Sequence, residues 1–166
     1  MEIVPSERFS QRDRNGLRSF LEYCLEAAQK AGEMRFASIS LEVQHTDPLA
    51  VLESIYEPGE LHFYCEHPQE QIAVAGAEAV AGKTFSGPRR MSEARVFAEQ
   101  VLAATIAIGD LHLPMAGPRF LSAFSFFDEP EGDGVAFAPA TVFLPRWQVA
   151  EAEGAYVAVA NVPITP

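Results

Sequence analysis

The sequence predicts an α+β domain, with a mainly antiparallel sheet and helices packed on its outside. Three observations lead there. The hydrophobic period switches from helical spacing over residues 15–32 to strict alternation over residues 37–44. Later apolar runs are short and bounded by Pro, Gly and acidic turn signals, without the regular strand–helix alternation of a parallel sheet. Finally, 166 residues with 48% hydrophobic and 21% charged composition can bury one substantial core without disulfides or metal.

The first helix is the clearest element. Leu17, Phe20, Leu21, Cys24, Leu25 and Ala28 recur at helical spacing, Asp13 or Asn15 can cap the start, and Gly32 can end it. In the strand over residues 37–44, Ala37, Ile39, Leu41 and Val43 form a buried face, while Ser38, Ser40, Glu42 and Gln44 form a more polar one. Asp47 and Pro48 then open a short helix over residues 49–56, ended by Pro58-Gly59.

Two strands follow, over residues 61–66 and from Gln71 to Ala77 or beyond, with Pro68 in the turn between them. Ser92 is the expected cap of a second long helix, with Val96, Val101, Leu102, Thr105 and Ile108 facing inward and Gly109 as terminator. The last strands are expected over residues 119–127, 135–144 and 155–162. Several are apolar on both faces, as strands covered on two sides are. Asp128, Glu129, Glu131 and Asp133 belong to an acidic hairpin loop. Residues 1–162 therefore form one domain, and residues 163–166 read as the start of a linker.

The formal net charge is −11, from 23 acidic and 12 basic residues, and Lys30 and Lys83 are the only lysines. Nucleic acid and anionic membrane surfaces both require a positive footprint, so neither is an expected partner. The same balance disfavours a dicarboxylate ligand, unless arginine gathers locally. Residues 1–10 hold no basic segment leading into an apolar run, and no apolar stretch reaches the ~20 residues that span a bilayer. The expected location is the cytoplasm, with Cys24 and Cys65 as free, buried thiols.

No constellation of residues names a reaction. Gly82-Lys83-Thr84 resembles the end of a phosphate-binding loop, but the required earlier glycine falls on Ala77 and Pro88 breaks the following helix, so a plain turn is expected. His62, Cys65, Glu66 and His67 are metal-ligand types, yet on a strand His62 and Cys65 point to opposite faces, as do Glu66 and His67. The acidic hairpin lacks the spacing and closing glutamate of a calcium loop. His45 and His112 have no assignable partner.

Several segments in order carry a resemblance. Asp47-Pro-Leu-Ala-Val-Leu-Glu53, Leu61-His-Phe-Tyr64 and Ile72-Ala-Val-Ala-Gly76-Ala77 come first. Pro118-Arg-Phe120, Phe124-Ser-Phe126, Phe137-Ala-Pro-Ala140 and Phe143-Leu-Pro-Arg146 follow. Together these are similar to the N-terminal region of chorismate-utilising enzymes, and Leu144-Pro145-Arg146 is most like the isochorismate synthases. Cys65 departs from the tryptophan common in that strand, and Leu121-Ser122-Ala123 from small glycines.

The resemblance implies half of a fold built from two packed sheets. In that family chorismate and magnesium bind in a C-terminal domain, which also supplies the catalytic lysine and glutamates. No position of this chain inherits a catalytic, cofactor or metal role from it. An unaccompanied half would leave an apolar sheet face exposed. Leu52-Glu53-Ser54 resembles part of the segment with which anthranilate synthases bind tryptophan as feedback inhibitor. The residues themselves favour a plain amphipathic helix with Leu49 and Leu52 turned inward. Anthranilate, aminodeoxychorismate and salicylate synthases, and a stand-alone binding or scaffold module, are the rival assignments.

Overall fold

The computed structural model describes residues 1–5, 7–9, 13–130 and 138–166. In chain order the elements are β1 (Glu2–Ile3), α1 (Arg14–Ala31), β2 (Arg35–Glu42), α2 (Pro48–Ile55), β3 (His62–His67) and β4 (Ile72–Phe85). They continue with α3 (Arg90–Ala103), β5 (Thr105–Gly109), β6 (Leu121–Phe124), β7 (Ala140–Ala152) and β8 (Ala155–Ile164). One sheet runs β1-β5-β2-β8-β7-β4-β3, and β6 lies beside the first part of β7. The β5 strand is parallel to β1 and β2, and every other pairing is antiparallel. This is the expected α+β architecture with peripheral helices. No helix among the described residues is long and apolar enough to cross a membrane.

The capping chemistry sets the first two helices. Asp13 Oδ1 accepts from the Gly16 amide at 2.8 Å, and Gly32, at φ 65°, closes α1 in the left-handed conformation that its missing Cβ permits. Asp47 Oδ1 accepts from the Leu49 amide at 2.9 Å, with Pro48 in the first turn of α2. Of the inward positions expected, Leu25 and Leu49 are exposed instead, while Phe20, Cys24, Ala28 and Leu52 are buried.

The second long helix differs from expectation at both ends. Ser92 does not cap it: its hydroxyl sits inside the first turn and donates to the Arg89 carbonyl at 2.8 Å. At the other end Thr105 and Ile108 leave the helix and form β5, so Gly109 ends a strand. The run Thr105-Ile106-Ala107-Ile108, three of its four residues β-branched, is buried throughout, and the Phe36 amide donating to the Ala104 carbonyl at 3.1 Å starts its parallel pairing with β2. Val96 is 48% exposed rather than inward.

Each face of the sheet is covered in large part. On one, α1 packs over Ala37, Ile39, Ile106 and Ile108, and α2 places Leu52 on Ala75 and Ala77. On the other, α3 covers Phe36, Val142 and Leu144, while Leu113, Met115 and Ala116 cover Val74, Ala150, Val157 and Val159. The polar face expected for β2 is therefore interior, with Ser38 and Ser40 fully buried. The expected open apolar sheet face is reduced to a strip between α1 and α2. There Ala160 is exposed, and it lies opposite Ile39 on one side and Trp147 on the other.

Other boundaries shift as well. Gly82-Lys83-Thr84 lies within the 14-residue β4, in register with β7, and is neither turn nor phosphate loop. The β7 strand begins at Ala140 and runs to Ala152, well past Leu144, and β6 is confined to Leu121–Phe124. Residues 131–137, which include most of the acidic hairpin and the start of the expected 135–144 strand, lie outside the described residues. Pro163 and Ile164 pair with Phe36 and Arg35, so they belong to the sheet rather than to a linker.

Candidate functional site

A polar band crosses the interior between the two apolar clusters beneath α3 and residues 113–116. Ser38 faces Asn161 across the β2–β8 pair, and Val159 lies between Ser40 and Gln148. All four polar side chains are fully buried. Their bonds are specific. Ser40 Oγ accepts from the Gly117 amide at 2.9 Å, Gln148 Nε2 donates to the Met115 carbonyl at 3.0 Å, and Asn161 Nδ2 donates to the Pro145 carbonyl at 2.8 Å. Ser38 Oγ, Gln148 Oε1 and Asn161 Oδ1 have no partner among the described residues. Leaving buried polar atoms of this kind unpaired is costly.

Two members of the band, Ser40 and Gln148, tie residues 115–117 to the sheet. The segment begins at Gly109, whose neighbour Asp110 accepts from the Glu42 amide at 2.9 Å through Oδ2 and donates its own amide to the Ser40 carbonyl at 3.0 Å. Pinned at Asp110, Met115 and Gly117, the segment becomes one wall of an open groove of about 510 Å³. Phe63, Cys65 and Val74 floor it, Leu102 closes the α3 side, and Met115 and residues 118–122 form the rim. Gly76 fits this arrangement: a Cβ there would stand 2.9 Å from Leu121 Cδ1 and 3.1 Å from the Trp147 carbonyl. Arg119, on the rim, has no ion pair or hydrogen bond among the described residues.

The residues singled out from sequence do not converge on this groove. Leu52 is buried against Ala75, Ala77, Tyr64 and Trp147 on the opposite face. Glu53 and Ser54 are exposed on α2, and Ser54 Oγ donates to the Val51 carbonyl at 2.8 Å within its own helix. His62 and Cys65 stand on opposite faces of β3, as alternation requires. His62 meets the Tyr56 ring edge-on at 4.4 Å, and His45 lies 4.9 Å from the Tyr156 ring. Both cysteines are free; Cys24 is buried and Cys65 is half-buried in the groove.

Sequence reasoning missed Ser40, Gln148, Asn161 and Arg119. A signal existed for Gln148, a lone amide within the apolar run of β7. Arg119 gave none, because an isolated arginine beside a proline looks like any surface loop.

Among the described residues no three or more His, Cys, Asp or Glu side chains are arranged to hold a metal ion. A family profile described as "Chorismate binding enzyme" matches residues 20–166. The chain belongs to that family. No curated protein and no solved structure matches it. Leu144-Pro145-Arg146, the family-like ending, occupies the point where β7 exchanges β6 for β8 as its neighbour. Leu144 is fully buried under α3, Pro145 accepts from Asn161, and Arg146 pairs with Glu78 at 2.6 Å.

Proposed function

We propose that this chorismate binding enzyme domain is the N-terminal scaffold region of an isochorismate synthase, the cytoplasmic isomerase that converts chorismate to isochorismate. In this reading a C-terminal domain carries chorismate, magnesium and the acid–base residues, and the connection to it begins at Thr165. The role of the present chain is to supply a rigid sheet. The observation that carries the proposal is the family match over residues 20–166, with the isochorismate-synthase-like Leu144-Pro145-Arg146 built into the centre of the sheet. Leu52-Glu53-Ser54 is then a packing segment that keeps a sequence likeness to a feedback-inhibitor site without its function.

The test has two arms. The source gene is sequenced past codon 166, and the 166-residue chain and the longer product are each incubated with chorismate and magnesium, with products separated by chromatography. Isochorismate from the longer protein and no turnover by the 166-residue chain are expected. Turnover by the short chain would sink the scaffold role. Anthranilate, aminodeoxychorismate or salicylate as product would move the assignment to another subfamily, and a stop codon after Pro166 would leave a stand-alone module.

A further inference from the structure

The strand at one end of the sheet is left open. We propose that β3 pairs antiparallel with β3 of a second copy of this chain, joining two sheets across a two-fold axis at Tyr64. Such a pairing is independent of the reaction that the full enzyme performs.

β3 has β4 on one side and no strand on the other among the described residues. The Glu78 amide donates to the Leu61 carbonyl at 3.1 Å, one step along from the His62–Ala77 pair. Hydrogen bonding alternates along an antiparallel ladder. Phe63 and Cys65 therefore turn their amides and carbonyls toward β4, while His62, Tyr64 and Glu66 turn theirs outward.

Sheet edges are commonly guarded by lysine, proline, bulges or brevity. At the opposite edge β1 has two residues, and where β4 runs on past β3 it carries a register shift and Lys83. The open strand has none of these guards. It runs for six residues, includes Phe63 and Tyr64, and contains neither lysine nor proline.

Charge selects both the partner and the register. With Tyr64 opposite Tyr64 of the second copy, His62 of each copy stands opposite Glu66 of the other, and Phe63 opposite Cys65. Every outward amide of His62, Tyr64 and Glu66 then meets an outward carbonyl. These three side chains share the α2 face, where Tyr64 packs on Leu52 and both His62 and Glu66 are exposed. Centring the pair on Phe63 instead sets Glu60 against Glu66. Centring it on Cys65 sets His62 against Pro68, which has no amide. A patch that complements itself about a two-fold axis closes as a dimer rather than a fibre.

Sedimentation of the 166-residue chain from roughly 1 to 500 µM tests this, at about pH 6, where imidazole commonly carries a proton. A dimer with Kd on the order of 10–100 µM is expected, since one strand pair is a small interface. Hydrogen exchange reads the register. The His62, Tyr64 and Glu66 amides should gain protection as concentration rises, whereas Phe63 and Cys65 are protected by β4 throughout. His62→Glu sets carboxylate against carboxylate twice and should weaken the dimer about tenfold. Adding Glu66→Lys should return affinity to within about threefold of the parent. Both positions are exposed, so these variants should keep the parent Tm.

A chain that stays monomeric at every concentration would overturn the proposal and leave the edge to a strand of another protein. So would a dimer in which the His62, Tyr64 and Glu66 amides exchange as in the monomer. A His62→Glu variant that dimerises like the parent, or a double variant no tighter than His62→Glu, would overturn it as well.

Discussion

Replacing Gly109 by alanine should cost more stability than the same change at Gly32, Gly59, Gly76, Gly82, Gly87, Gly117 or Gly154. Gly109 sits at φ 114°, a conformation that L side chains avoid, at the end of β5 beside Ser40 of β2. A Cβ there would lie 1.9 Å from the Ser40 carbonyl oxygen and 2.9 Å from its carbon, far inside ordinary contact. Backbone atoms cannot rotate aside, so β2 and β5 must separate locally. The strained φ costs about 1–3 kcal/mol. Loss of the Asp110 amide bond to Ser40 adds about 1 kcal/mol, and the disturbed packing brings the sum to roughly 3–5 kcal/mol.

Against a typical domain stability of about 5–15 kcal/mol, that is a large fraction. At about 2–4 °C per kcal/mol for this chain length, Tm should fall by roughly 6–20 °C. Gly154→Ala is the control. Its φ of 77° is similar in sign, but nothing lies within 4 Å of the added Cβ, so only the conformational cost of about 1–2 kcal/mol remains. Urea denaturation of both variants separates strain from collision. Equal losses in the two would show that the close approach of Gly109 to Ser40 does not matter, and would refute the reasoning.

Three further outcomes follow from the same structure. Leu52→Ala should destabilise by about 2–5 kcal/mol, because it empties the contact with Ala75, Ala77, Tyr64 and Trp147, whereas Glu53→Ala and Ser54→Ala should each stay within about 0.5 kcal/mol in urea melts. Calorimetric titration with tryptophan should give no heat; tight binding abolished by Glu53→Ala would restore the regulatory role. Stability should also fall in alkali. Burial pushes the Cys24 thiol up to about 12, and the hydrogen bond to Glu66, followed by burial, pushes Tyr64 up to about 12. The unfolded chain releases these protons first, from pH 9.0 for the thiol and 10.0 for the phenol. Stability is therefore full below pH 9.0 and lost as pH rises toward 12. Urea midpoints measured from pH 7 to 11 should decline, and Cys24→Ala should flatten the earliest part; an unchanged slope in that variant would exclude the thiol.

What could be read from the sequence was local chemistry. Asp13, Gly32, Asp47 and Pro48 act within a few residues of themselves, so α1 and α2 were legible to within a residue or two. Cys65 against His62 followed from alternation alone. The β5 strand was not legible, because Val101, Leu102, Thr105 and Ile108 also satisfy helical spacing and only pairing with the distant β2 selects the strand. Ser38 and Ser40 failed for a related reason. Serine on alternate positions signals solvent unless something covers it, and the cover here comes from residues more than 70 positions away, as the Ser40–Gly117 bond shows. The groove was invisible for the same cause: Phe63, Leu102 and Arg119 meet only in the folded chain.

The position of β8 has a consequence for biosynthesis. It is the latest of these strands to leave the ribosome, yet it lies between β2 and β7, joining the β1-β5-β2 half of the sheet to the β7-β4-β3 half. Until residues 155–164 emerge, β2 and β7 each present an unpaired, largely apolar edge, and those edges are templates for association with other chains. Cooperative folding of this region must therefore wait until β8 has left the ribosome, and it is slow, since its closing step joins strands over 100 residues apart. A nascent chain stalled before Ala155 should be a chaperone client and prone to aggregate, and one long enough to expose all of β8 should not.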